Sequence, residues 1–256
     1  MLDDGARCSL DVDQIQASLG SVGWIWPAYI QNQIVEAFAH KIFVASPANK
    51  QQIFAEELPT LYPNEWLARM LLERYRITPV IQEFASSIGD AIKAFQLGLY
   101  HAAVCTFLPI LEGVLRLSAR TDERVLDPKS GGLVTQINAF LAEQQGEANS
   151  LKERKRMLRV FKKWLIVLNR RYDYEKSPSH LNRNAVLHGL STEYGDERNF
   201  YILISVLDLL TFVLGLRSGG TLTLAPRRTA ESVKLTQYYC MLQGLATVHP
   251  LRRRNA

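Results

Sequence analysis

Arg198-Asn199-Phe200-Tyr201-Ile202-Leu203-Ile204-Ser205-Val206-Leu207-Asp208-Leu209-Leu210-Thr211-Phe212-Val213-Leu214-Gly215-Leu216 is the stretch on which the fold turns. Wound as a helix, its apolar side chains fall on nearly every side, whereas a helix packed on one face keeps a polar stripe. Its apolar part, Tyr201 to Leu216, is shorter than the roughly 20 residues that cross a bilayer, and it holds Asp208. It is read as a buried helix, either at the centre of a bundle or packed between a bundle face and a second subunit.

The same periodicity extends outward. Downstream, Gly219-Gly220 ends the buried helix, Thr221 to Leu224 alternates like one short strand, and Thr229 to Leu245 is a last helix. Upstream, a turn at Gly195-Asp196 follows a helix that carries Leu181 to Leu190. Leu151 to Arg171 is a long amphipathic helix with nine lysines and arginines against the single acid Glu153. That local excess exceeds the whole chain's net +5, and it places Lys155, Arg159, Lys162 and Lys163 as candidate RNA contacts. A solvated face is the plainer reading of the same charges. From Ile92 to Leu115 the apolar spacing is helical, with Pro109 expected to kink or split it. Ser46-Pro47 reads as cap and first residue of a helix towards Leu58, and Pro27 as the opening of one before it. Asn64 to Arg74 and Thr78 to Ile88 read as two short helices. The expected fold is all-α, with an N-terminal helical region over 1–86 and a helical domain over 87–256.

The chemistry lies in Asn182-Arg183-Asn184-Ala185-Val186-Leu187-His188-Gly189. Arg183 and His188 are five positions apart, which on a helix is about 500°, or about 140° in projection. Arginine's length, and a helix end loosened at Gly189, would still let both reach one phosphate. Histidine titrates near neutrality and serves as base or acid, while arginine stays charged and grips phosphate oxygens with two donors. Asn182 and Asn184 offer orienting hydrogen bonds. The bland alternative is a surface arginine and a helix-capping histidine. Glu112, a carboxylate in an apolar run, suits either an ion pair with Arg116 or Arg183 or a role in orienting the site.

Arg183-Asn184-x3-His188 resembles the R-N-x3-H form of the R-x4-6-H motif of HEPN domains. Gly98-Leu99-Tyr100-His101-Ala102-Ala103, running on to Pro109-Ile110-Leu111-Glu112-Gly113, and the downstream Thr192-Glu193-Tyr194-Gly195-Asp196 are similar to bacterial members of that superfamily. The resemblance covers roughly 90–216. It implies a helical bundle of HEPN type that dimerises, bringing two motifs to one cleft. It also implies metal-independent cleavage of RNA by Arg183, His188, Asn184 and Glu112, in antiviral defence or as a toxin with an antitoxin or regulatory partner. A non-catalytic module that binds RNA, nucleotide or protein is the alternative. Members silenced by nucleotidylation have a tyrosine two residues after the histidine, where this chain has Leu190.

Composition agrees with a packed core: 47% hydrophobic and 21% charged residues in 256, room for one large domain or two modest ones. A pI near 9.1 leans towards polyanions. Three scattered cysteines, Cys8, Cys105 and Cys240, imply neither a disulfide framework nor a zinc knuckle. The acidic start Met1-Leu2-Asp3-Asp4 is unlike a secretory signal, so a cytoplasmic location without membrane attachment is expected. No P-loop, dinucleotide-binding glycine pattern, H-E-x-x-H or G-x-S-x-G occurs, which disfavours P-loop kinases, dinucleotide oxidoreductases, zinc proteases and serine hydrolases. No cofactor and no metal is expected.

Overall fold

The structure, a computed structural model, describes residues 10–120, 181, 183–217 and 225–248. Among these the regular elements are all helical. In order they are α1 (Val12–Ser21), α2 (Asn32–Val44), α3 (Lys50–Leu61), α4 (Asn64–Met70), α5 (Ala85–Gln96), α6 (Tyr100–Arg120), α7 (Arg183–Leu187), α8 (Glu197–Arg217) and α9 (Ala230–Ala246). The expected strand at Thr221 to Leu224 and the basic helix from Leu151 to Arg171 lie outside the described residues.

Local chemistry starts several of these helices. Asp11 accepts from the Gln14 amide while the Gln14 side chain accepts from the Asp11 amide, and Thr229 and Ser232 repeat this reciprocal cap at α9. Asp196 Oδ1 accepts from the Arg198 amide at 2.7 Å, capping α8. Two helices end on glycines in left-handed conformation, Gly98 (φ 73°) after α5 and Gly189 (φ 67°) after α7. In both, the glycine amide reaches back three residues and the next amide five: Leu99 to Ala94, and Leu190 to Ala185.

Gly98 accounts for one difference from the sequence reading. The break falls there, and α6 runs unbroken through Pro109. Proline removes the donor for the Cys105 carbonyl and its ring crowds that carbonyl, which costs a helix one turn's bond without having to end it; Pro109 itself is exposed. Other boundaries moved by a turn. α3 begins at Lys50, entered by a turn whose Asn49 and Lys50 amides bond the Ser46 carbonyl. α4 runs on into a wide π turn, Leu71–Tyr75, closed by the Arg76 amide on the Leu71 carbonyl. The segment after it turns sharply at Val80 (φ 69°, ψ −49°), enters a 3-10 turn, Ile81–Phe84, and then α5.

One buried cluster runs from Leu10 to Leu242, with α8 at its centre. On one side α8 meets the N-terminal helices. Trp24 packs edge-on to Phe38 and against Phe54 and Tyr62, and its indole N–H donates to Ser205 Oγ at 2.6 Å. Tyr62 also bonds Ser205 Oγ at 2.7 Å, and Ser205 Oγ donates to the Tyr201 carbonyl, so the Tyr62 hydroxyl is the donor to Ser205. On the other side Phe200 stacks on Phe95 of α5, 3.9 Å between centroids, and meets Phe107 of α6 edge-on. Every residue from Phe200 to Thr211 is buried within the single chain. The HEPN resemblance favours a bundle face packed on a second subunit for this helix; burial within the single chain corrects that and puts it at the bundle centre. By length and composition alone Tyr100–Ser118 and Glu197–Gly215 reach the range of membrane-crossing helices, and the second buries 83% of that window inside the fold. The division at residue 86 falls in the first turn of α5, and the core is continuous across it.

Candidate functional site

α7 is a short helix held to α6 through its buried residues Ala185 and Val186. Its end places the Arg-x4-His segment in a defined setting. The left-handed Gly189 turns the chain back, and the amides of Leu190 and Ser191 both donate to the Ala185 carbonyl, at 2.8 and 3.2 Å. His188 sits at this corner with its imidazole exposed and with no hydrogen bond to a described residue. The backbone at Arg183 and Asn184 is helical; their side chains lie outside what is described, as does Asn182.

The return loop after Gly189 is tied to α6 and α8. His101 Nε2 meets the Thr192 carbonyl at 2.9 Å, and a carbonyl only accepts, so His101 holds its proton on Nε2 there. The His101 ring stands edge-on to Tyr194, 5.0 Å between centroids. One turn along α6, Cys105 Sγ is 3.2 Å from the Tyr194 hydroxyl; that hydrogen bond first, and partial burial second, raise the Tyr194 pKa. Asn199 Nδ2 of α8 donates to the Tyr194 carbonyl at 3.1 Å. Gly195 makes this approach possible, because a Cβ there would lie 2.1 Å from two atoms of the His101 ring. The upstream segment at Gly98 to Ala103 and the downstream segment at Thr192 to Asp196 are thus in direct contact.

Glu112 is half-buried on α6 and forms an ion pair with Arg116 one turn on, at 2.5 Å, the partner that sequence spacing offered first. Lys155, Arg159, Lys162 and Lys163 lie outside the described residues. A lone histidine on a helix reads as structural or exposed, and His101 is both, although its partner at Thr192 has no local signal. The i, i+4 spacing of His101 and Cys105 puts both on one face.

A second polar cluster lies in the core beside α8. Asp208 is fully buried and accepts from the Tyr75 hydroxyl through Oδ1 at 2.5 Å. Burial pushes its pKa up from 3.8 to about 7, while the Tyr75 hydrogen bond and then the Trp66 indole act to lower it. The Trp66 approach stops short of a full hydrogen bond, since Trp66 Nε1 and Asp208 Oδ2 both lack a hydrogen-bond partner among the described residues. Burial first, then the nearby Asp208 charge, raise the pKa values of Tyr29, Tyr62 and Tyr75. Arg74 and Arg69, from the wide turn and α4, bind the Ala225 and Pro226 carbonyls and so tie the entry to α9 beside this cluster. The cluster is enclosed, so it organises the core and offers no surface to a substrate. Compared with protein-family models, with curated proteins and with solved structures, the chain matches none of them.

Proposed function

We propose that the chain is a HEPN-like, metal-independent endoribonuclease in which Arg183 and His188 act on one RNA phosphate. His188 takes the proton of a ribose 2′-hydroxyl and the freed oxygen attacks the adjacent phosphorus. The bond to the 5′-oxygen breaks, that oxygen takes a proton from water while His188 returns its own to solvent, and the products end in a 2′,3′-cyclic phosphate and a 5′-hydroxyl. Arg183 neutralises the charge that grows on the phosphate oxygens, and Asn184 orients the phosphate or the imidazole. Glu112, ion-paired with Arg116 on α6, orients the site and transfers no proton. Lys155, Arg159, Lys162 and Lys163 bind the RNA backbone. The chain acts as a homodimer, two Arg183–His188 pairs facing one another with isologous symmetry, in antiviral defence or under the control of an antitoxin or other regulatory protein.

The observation that supports this reading best is the corner at Gly189, which leaves the exposed His188 at a helix end in an R-N-x3-H segment. A rival has its own support: residues 183–187 are helical, and an ideal helix separates positions 183 and 188 by about 140°. That separation favours a non-catalytic module for RNA, nucleotide or protein. Purified protein incubated with total RNA and excess chelator decides between them. Cleavage should persist with chelator, and His188→Ala and Arg183→Ala should each lose ~10²–10⁴ in rate while remaining folded. Cleavage by His188→Ala at the wild-type rate would remove the assignment.

A further inference from the structure

We propose that His101 of α6 is a positioning residue for His188, holding from a distance the backbone that aims the exposed imidazole. The inference rests on the reading of His188 as the acid–base group. His188 has no described side-chain partner, so its backbone alone directs it, and that backbone is the corner formed by Gly189, Leu190 and Ser191. The corner is anchored at its start by two amides on the Ala185 carbonyl. Its continuation is anchored by the His101 Nε2–H on the Thr192 carbonyl, four residues after His188. Tyr194 packs on the same imidazole and reaches Cys105, and Gly195 leaves the space in which the ring sits. Without this pin, the described hydrogen bonds of Leu190 to Thr192 would be those to α7, a helix of five residues, and a weak local one from the Glu193 amide to Ser191 Oγ. The next ties to α6 and α8 lie at Tyr194. A shift of about 1 Å at a reacting group costs on the order of 100-fold in rate, so a small release of this loop is enough to matter.

His101 donates its Nε2–H whether the ring is neutral or doubly protonated, so it acts as a fixed strut and transfers no proton. His101→Ala should lower kcat ~10–100-fold with KM nearly unchanged, because substrate contacts stay while the reacting group moves. His101→Gln keeps an N–H donor at similar reach and should recover most of the loss. Gly195→Ala attacks the same contact from the loop side, displacing the ring, and should resemble His101→Ala. The limb of the pH–rate profile set by His188 should keep its midpoint in His101→Gln; loss of a limb would make His101 a proton carrier and overturn the positioning role.

Amide hydrogen exchange at Leu190 and Ser191, and the NMR signals of the His188 imidazole, provide a readout that needs no RNA. Faster exchange and shifted His188 signals in His101→Ala and Gly195→Ala, restored in His101→Gln, support the proposal. Wild-type exchange and wild-type His188 signals in His101→Ala overturn it, whatever the RNA assay gives. If the wild-type chain cleaves no RNA, the ribonuclease reading fails by itself, and the exchange and His188 signals still decide whether His101 sets that ring.

Discussion

Asp208 shows how much one residue's surroundings matter. In sequence it is an acid in an apolar run, and spacing does not say which group it meets. The donor is Tyr75, 133 residues away, delivered by a π turn that periodicity does not reveal. The pH dependence follows from its pKa. Below about pH 4 the folded and unfolded chains both hold the proton. Between about 4 and about 7 the unfolded chain releases it and the folded chain keeps it, so this residue makes stability fall as pH rises. Above that window both are ionised and the burial costs ~4 kcal/mol, from about three pKa units. Asp208→Asn should remove this slope: its stability relative to wild type should rise by a few kcal/mol between pH 4.5 and pH 8 in urea unfolding. A difference that does not change with pH would contradict the buried-acid assignment.

For the elements, α9 and α8 were legible from the sequence because their signals are local: the Thr229 cap, and an apolar run without a polar stripe. The break between α5 and α6 was misplaced because Pro109 is conspicuous and Gly98 is not. A glycine ends a helix only where a positive φ is needed, and Gly98 and Gly189 meet that condition with the same pair of backward hydrogen bonds. Alanine at either position would find its Cβ unobstructed, with Ala246 at 3.9 Å as the one neighbour at 98. The cost is therefore that of the left-handed backbone alone, ~1–2 kcal/mol. Gly98→Ala and Gly189→Ala should each lower the denaturation midpoint correspondingly, and Asn should be milder than Ala at both. Equal stability of the Ala and Gly forms would mean that the helix ends relax to another geometry. The candidate site was half legible in the same sense. The Arg183–His188 spacing and the Gly189 corner are local, whereas the grip of His101 on Thr192 joins residues 91 apart.

Across the whole molecule, the sequence reading divides the chain after residue 86, and the buried cluster runs on across that division. Ser205 joins Trp24 and Tyr62, and Phe95 lies on Phe200, so the central helix completes the core of both regions. Expressed alone, 87–256 would deprive Ser205 of Trp24 and Tyr62, Asp208 of Tyr75, and the face of α8 towards Trp24 of its packing. That fragment should retain helical far-ultraviolet dichroism while losing the near-ultraviolet signal and sharp unfolding of the full chain. A fragment with dispersed NMR signals and cooperative unfolding would establish 87–256 as an independent domain. The placement of α8 also has a consequence in time. The hydrogen bonds that close the core join residues 181, 143 and 133 apart. At the pace of translation, roughly 5–20 residues per second, Trp24, Tyr62 and Tyr75 emerge on the order of ten seconds before Ser205 and Asp208. For that interval the nascent chain displays its most aromatic surface unfinished. Synthesis of this protein should therefore depend on chaperones that hold apolar segments until the central helix arrives.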